Sequence, residues 1–124
     1  MTDKLAAVLG AVNALLAVAA GAFGAHGLRA RLSPDSLEVW KTAAQYHMTH
    51  ALGLFAVAWL CSRGAAAARP AGWLMLAGIV LFSGSLYLLA VTGVRSLGAV
   101  TPVGGLCFLA SWAALAWAAL RLGG

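Results

Sequence analysis

Acidic side chains are nearly absent. Asp3, Asp35 and Glu38 are the only three in 124 residues, and 9% of the chain is charged, against about 25% in a soluble domain. None of the three falls inside a long apolar run, which leaves no carboxylate pair for acid–base chemistry there. Cysteine is scarce as well. Cys61 and Cys107 do not make a disulfide framework, and they read as small apolar fillers at different depths. The eight Lys and Arg stand singly between apolar runs, so the net charge of +5 does not point to nucleic acid. Anchoring at a membrane interface and setting topology suit them better. No nucleophile elbow, phosphate-binding loop or dinucleotide fingerprint occurs, and the glycine-rich stretch from Gly21 to Gly27 follows no strand.

What is present is apolar: 63% of the residues are hydrophobic. A chain this short keeps much of its surface in solvent, so that solvent must be lipid. Four apolar stretches approach the ~20 residues that cross a bilayer. They cover about 5–25, 42–60, 71–91 and 103–120. Lipid offers no partner to an open backbone, so all four must be helical. The expected fold class is an all-α membrane protein, a four-helix transmembrane bundle forming one domain over residues 1–124. The Lys4-led first run imitates a signal peptide, but three further spans follow it. Ser33, Pro34 and the acids Asp35 and Glu38 predict that the second helix begins near Pro34, before the lipid. Trp40 and Trp73 read as interface anchors, whereas Trp112 and Trp117 lie deeper or face lipid and are equally placed to meet a partner.

With the termini on side A, that side carries Lys4, Arg63, Arg69 and Arg121. Side B carries Arg29, Arg31, Lys41 and Arg95. The count is tied. Lys4 ahead of the first helix tilts the reading toward termini in the cytoplasm of a multi-pass inner-membrane protein.

Helices in lipid associate through close packing and hydrogen bonds. Ala6, Gly10, Ala14, Ala17, Gly21 and Ala25 recur every third or fourth residue and form a small-residue ridge on the first helix. Ala110, Ala114 and Ala118 repeat every four on the last. Either ridge is open to a neighbouring helix, a homo-oligomer or another membrane protein. At ~1.5 Å per residue, Asn13, His50, Ser83, Ser85 and Ser111 fall near the midplane and are expected to point inward as a polar network. A second group lies toward side B: His26, Gln45, Tyr46, His47, His50, Tyr87 and Arg95 form a candidate polar pocket. Three chemistries fit it. The preferred one is a structural hydrogen-bond network. Next is a pocket for a ligand, a proton or an ion. A metal site is last, because the spacing matches no standard motif. No catalytic residue, metal ligand or cofactor is assigned.

Several segments carry a resemblance. They are the run from Gly21 to Leu28 (GAFGAHGL), the run from Trp40 to Gly53 (WKTAAQYHMTHALG), the run from Phe82 to Tyr87 (FSGSLY) and the run from Thr101 to Gly105 (TPVGG). In this order the chain resembles the small bacterial inner-membrane proteins grouped as domain of unknown function 423, which are similar to the eukaryotic transmembrane protein 256 family. The resemblance covers essentially the whole chain. It implies a multi-pass membrane protein and brings no established activity. Its motifs coincide with the histidine and tyrosine group of side B. The expected function is therefore a non-enzymatic accessory or scaffold protein that binds a partner protein or lipid. The alternative is an oligomer handling a ligand, proton or ion through its histidine- and tyrosine-lined pocket.

Overall fold

The computed structural model describes residues 1–123, apart from the side chain of Ala25, so the end of the predicted small-residue ridge lies outside the described residues. Four long helices account for most of the described residues. Helix α1 runs Asp3–Gly24, α2 Pro34–Ser62, α3 Ala68–Thr92 and α4 Thr101–Leu120. A short turn, Ala25–Gly27, extends α1, and a 3₁₀ turn, Arg95–Ala99, leads into α4.

The ends follow local chemistry. Thr2 Oγ1 accepts from the Leu5 amide, and Ser33 Oγ accepts from the Ser36 amide at 3.1 Å with Pro34 in the first turn. The predicted start of α2 therefore stands. Gly93 closes α3 in the left-handed region at φ 71°, where a side chain would be strained.

The exterior of the bundle is apolar, and its buried core mixes apolar side chains such as Leu54, Val57 and Met75 with a few polar ones. Leu15, Phe23, Val80, Leu106, Leu109 and Leu120 are more than 60% exposed. Meanwhile Asn13, His47, His50, Ser83, Ser85 and Ser111 are buried. In water this distribution would leave large apolar patches in the solvent; around acyl chains it is the stable one. Among the described residues, every buried side-chain nitrogen or oxygen has a hydrogen-bond partner. Inner positions repeat at alternating four and three: Ala6, Gly10, Asn13 and Ala17 in α1, and Gly104, Phe108, Ser111, Leu115 and Ala118 in α4. That repeat suits helices packed at shallow angles.

Three helices, α1, α3 and α4 with its leading turn, are long and apolar enough to cross a membrane. Helix α2 has the length but not the apolarity, because Gln45, Tyr46, His47, Thr49 and His50 interrupt it. It is also the helix against which α1, α3 and α4 all pack, so its inner side meets protein rather than lipid.

Two π-turns, Ala20–Gly24 in α1 and Ile79–Gly84 in α3, were not visible in the sequence. Such a turn loosens the carbonyl ladder. At the first, the Trp40 indole N–H donates to the Ala20 carbonyl at 2.8 Å. Trp40, expected as a simple interface anchor, thus ties α2 to the end of α1. Replacing Trp40 by Phe keeps an aromatic ring but removes this bond and part of the packing on α1, and should cost at least about 1 kcal/mol. Hydrogen exchange should accelerate at the end of α1 and stay unchanged in α4.

The ridge on α1 packs within the chain. Ala6, Gly10 and Ala17 are buried and Ala14 is half-buried. A Cβ at Gly10 would lie 3.1 Å from the Ala51 carbonyl oxygen of α2. The alanines of α4 diverge around the helix, with Ala118 buried, Ala114 half-buried and Ala110 exposed.

Candidate functional site

Two polar clusters sit on different sides of α2. On the α1 side, the Asn13 side-chain amide donates to the Leu9 carbonyl at 2.8 Å, which turns its oxygen toward His47. His47 Nε2 lies 3.0 Å from that oxygen, and His47 Nδ1 lies 3.0 Å from the Tyr87 hydroxyl. An amide oxygen only accepts, so Nε2 carries the proton and Nδ1 accepts from Tyr87. The Tyr87 ring packs on Trp40 at 4.6 Å between centroids. One chain of contacts thereby joins α1, α2 and α3.

On the α4 side the tautomer is reversed. His50 Nδ1 lies 2.7 Å from the Tyr46 carbonyl, and the Trp112 indole N–H donates to His50 Nε2 at 3.1 Å. A carbonyl only accepts and an indole only donates, so His50 is neutral with its proton on Nδ1. Its ring lies flat on Phe108, with 3.4 Å between centroids and 8° between planes. Tyr46 packs on Phe82 at 4.5 Å, and Phe82 on Phe108 at 5.5 Å.

These rings floor a groove of about 700 Å³ between α2 and α4. Thr49, Gly105, Leu106 and Leu109 form its walls, and Leu106 and Leu109 are among the most exposed apolar side chains of the bundle. Its lining is almost wholly apolar, and it includes the buried His50 and the exposed Tyr46. Phe82, Phe108 and Trp112 were not among the residues singled out as a pocket. Their only sequence signal is that they are aromatic at depth.

The candidate pocket residues separate into groups. His47 and Tyr87 bond to each other. Tyr46 and His50 line the groove, with rings stacked at 6.0 Å. Gln45, His26 and Arg95 are exposed, the last two near the side B surface. The five midplane residues are all buried, yet none bonds to another. Ser83 donates to the Ala43 carbonyl at 2.9 Å, Ser111 to the Ala71 carbonyl at 2.7 Å, and Ser85 meets Thr101 at 2.6 Å. Each is a separate link, and those of Ser83, Ser85 and Ser111 each join two helices. Among the described residues, no three His, Cys, Asp or Glu side chains gather as a metal site.

A helical bundle with an apolar exterior, several helices long and apolar enough to span, and buried, satisfied polar groups defines a multi-pass membrane protein. The family model described as "Protein of unknown function (DUF423)" matches residues 20–105, and the chain belongs to that family. It is similar to the UPF0382 membrane protein YwdK of Bacillus subtilis, with 56% identity over 95% of this chain and 98% of the relative. It is also similar to a UPF0382 membrane protein of Staphylococcus epidermidis, with 47% identity over 98% of this chain and 99% of that one. A further relative from Staphylococcus aureus is 44% identical over 98% of this chain and 99% of its own length. No solved structure matches the chain.

Proposed function

We propose that the protein is a non-enzymatic accessory or scaffold protein of the inner membrane, and that the groove between α2 and α4 holds the apolar chain of a lipid. The observation that carries this is the groove itself. Its volume of about 700 Å³ is within the ~300–1,000 Å³ of small-molecule sites. The strongly exposed apolar side chains Leu106 and Leu109 border it, and flat aromatic faces line its floor. We place the termini in the cytoplasm, with Lys4 preceding the first span.

The alternative, an oligomer that handles protons or ions through its imidazoles, has less support. Both nitrogens of His47 and of His50 are engaged with protein partners. A proton carrier needs a nitrogen facing its path.

Gly105 provides the test. A Cβ there would meet only the Phe82 ring, at 3.9 Å, so a side chain can start there without backbone conflict and extend into the groove that Gly105 lines. Gly105→Leu should fill the groove and leave the unfolding transition in place. Lipid retained by the purified protein, counted by native mass spectrometry, should fall several-fold. Equal retention in both proteins would remove the groove from the account.

A further inference from the structure

The outward face of α2 carries an exposed stripe that is polar from Glu38 to Thr49 and apolar beyond. Glu38, Thr42, Gln45, Thr49, Leu52 and Trp59 are all exposed, at spacings of three, four and seven. The Thr49 hydroxyl returns to the Gln45 carbonyl of its own helix at 3.0 Å. The Gln45 side-chain amide makes no hydrogen bond among the described residues.

Gln45 is not at the membrane edge. The Trp40 bond to Ala20 sets Trp40 level with that part of α1, and the Trp40 contact with Tyr87 sets it level with that part of α3. Phe23 lies beyond Ala20 toward side B, and Leu88 and Val91 lie beyond Tyr87. They are 79%, 55% and 57% exposed. The apolar belt therefore extends past Trp40, while Gln45 lies more than a turn inside it. A primary amide with two donors and an acceptor, facing acyl chains without a partner, is unfavourable by several kcal/mol on transfer scales that lack hydrogen bonding, about 4–8.

We propose that a second copy of this chain covers the stripe, in a parallel dimer whose two-fold axis runs along the membrane normal beside Gln45. A two-fold axis brings a residue near it opposite itself. An amide both donates and accepts, so Gln45 and its counterpart satisfy each other with reciprocal hydrogen bonds. At the side B end of the stripe each Glu38 carboxylate is neutralised within its own copy by Lys41, 3.4 Å away, so the two copies meet there as ion pairs rather than as bare like charges. The seven-residue spacing of Glu38, Gln45, Leu52 and Trp59 is the repeat that keeps two helices in contact over several turns. The surface is separate from the ridge of α1. It adjoins the groove at Thr49, and it does not depend on what occupies the groove.

Single-cysteine crosslinking in native membranes tests the proposal, with Cys61 and Cys107 replaced by Ala. Gln45→Cys and Leu52→Cys should form covalent dimers under mild oxidation. Val18→Cys on α1 and Leu109→Cys on α4, both exposed, should not. In detergent, Gln45→Leu should weaken the dimer about tenfold, as expected for losing reciprocal interhelical bonds, while the monomer keeps its unfolding transition. The proposal is overturned by absence of the dimer at residue 45, equal crosslinking at residue 109, an adduct with a different protein, or a Gln45→Leu dimer of undiminished strength.

Discussion

Replacing Gly104 with Ala should destabilise the protein by about 3 kcal/mol, at the upper end of what an inserted methyl costs. A Cβ at this position would collide with the Phe82 amide nitrogen and come within 2.8 Å of the Leu81 carbonyl carbon. Both atoms belong to the backbone of the α3 π-turn and cannot rotate away, so α4 must move off α3. Two other glycines calibrate the expectation. At Gly53 the nearest atom is the Met75 methyl at 2.7 Å, the end of a flexible side chain. Gly53→Ala should cost less than about 1 kcal/mol. Gly105→Ala meets nothing closer than 3.9 Å and should be neutral or slightly stabilising through helix propensity. Unfolding in mixed detergent would rank the three; equal losses would show that the α3–α4 contact is not the tight one.

His47→Leu should cost about 3 kcal/mol. An average interhelical polar contact in a membrane is worth about 0.6 kcal/mol, but this change strands two groups. The Asn13 oxygen and the Tyr87 hydroxyl both lose their only partner on α2, and an orphaned buried polar group costs about 1–3 kcal/mol. Removing the stranded groups should recover much of the loss. The triple variant Asn13→Leu, His47→Leu, Tyr87→Phe should therefore be more stable than His47→Leu alone. Unfolding free energies in detergent check both statements. A triple variant weaker than the single one would mean that packing, not hydrogen bonding, governs this cluster.

The helices were legible because lipid imposes a simple rule: about twenty apolar residues, with punctuation at the ends. Ser33 with Pro34 marked the start of α2 correctly, and the inward turn of Asn13, His50, Ser83, Ser85 and Ser111 followed from the cost of polarity in hydrocarbon. Three features had no such signal. The π-turns depend on packing between helices, and no local residue type announces them. Trp112 could not be assigned to lipid or protein from depth alone, because a tryptophan suits both; its indole in fact fixes the tautomer of His50. Nor could spacing show that His47 and His50 serve different neighbours. They lie three apart, yet α1 occupies one side of α2 and α4 the other.

The same geometry explains why α2 is less apolar than its companions. Its inner polar groups are hydrogen-bonded across helices, and its outer stripe is assigned to a second copy. A helix that packs against three others can carry His47 and His50 on its inner side, where each finds a partner on a neighbouring helix.

Everything rests on α2 crossing the bilayer despite its composition. If it does, the loops before and after it lie in different aqueous compartments. Cys61 and Cys107 can be replaced by Ala, and one cysteine placed at Arg31 or at Ala66, both exposed. A maleimide that does not cross membranes is then applied to intact cells. One of the two positions should react and the other only after the membrane is opened. Reaction of both positions from the same side would contradict the four-span bundle.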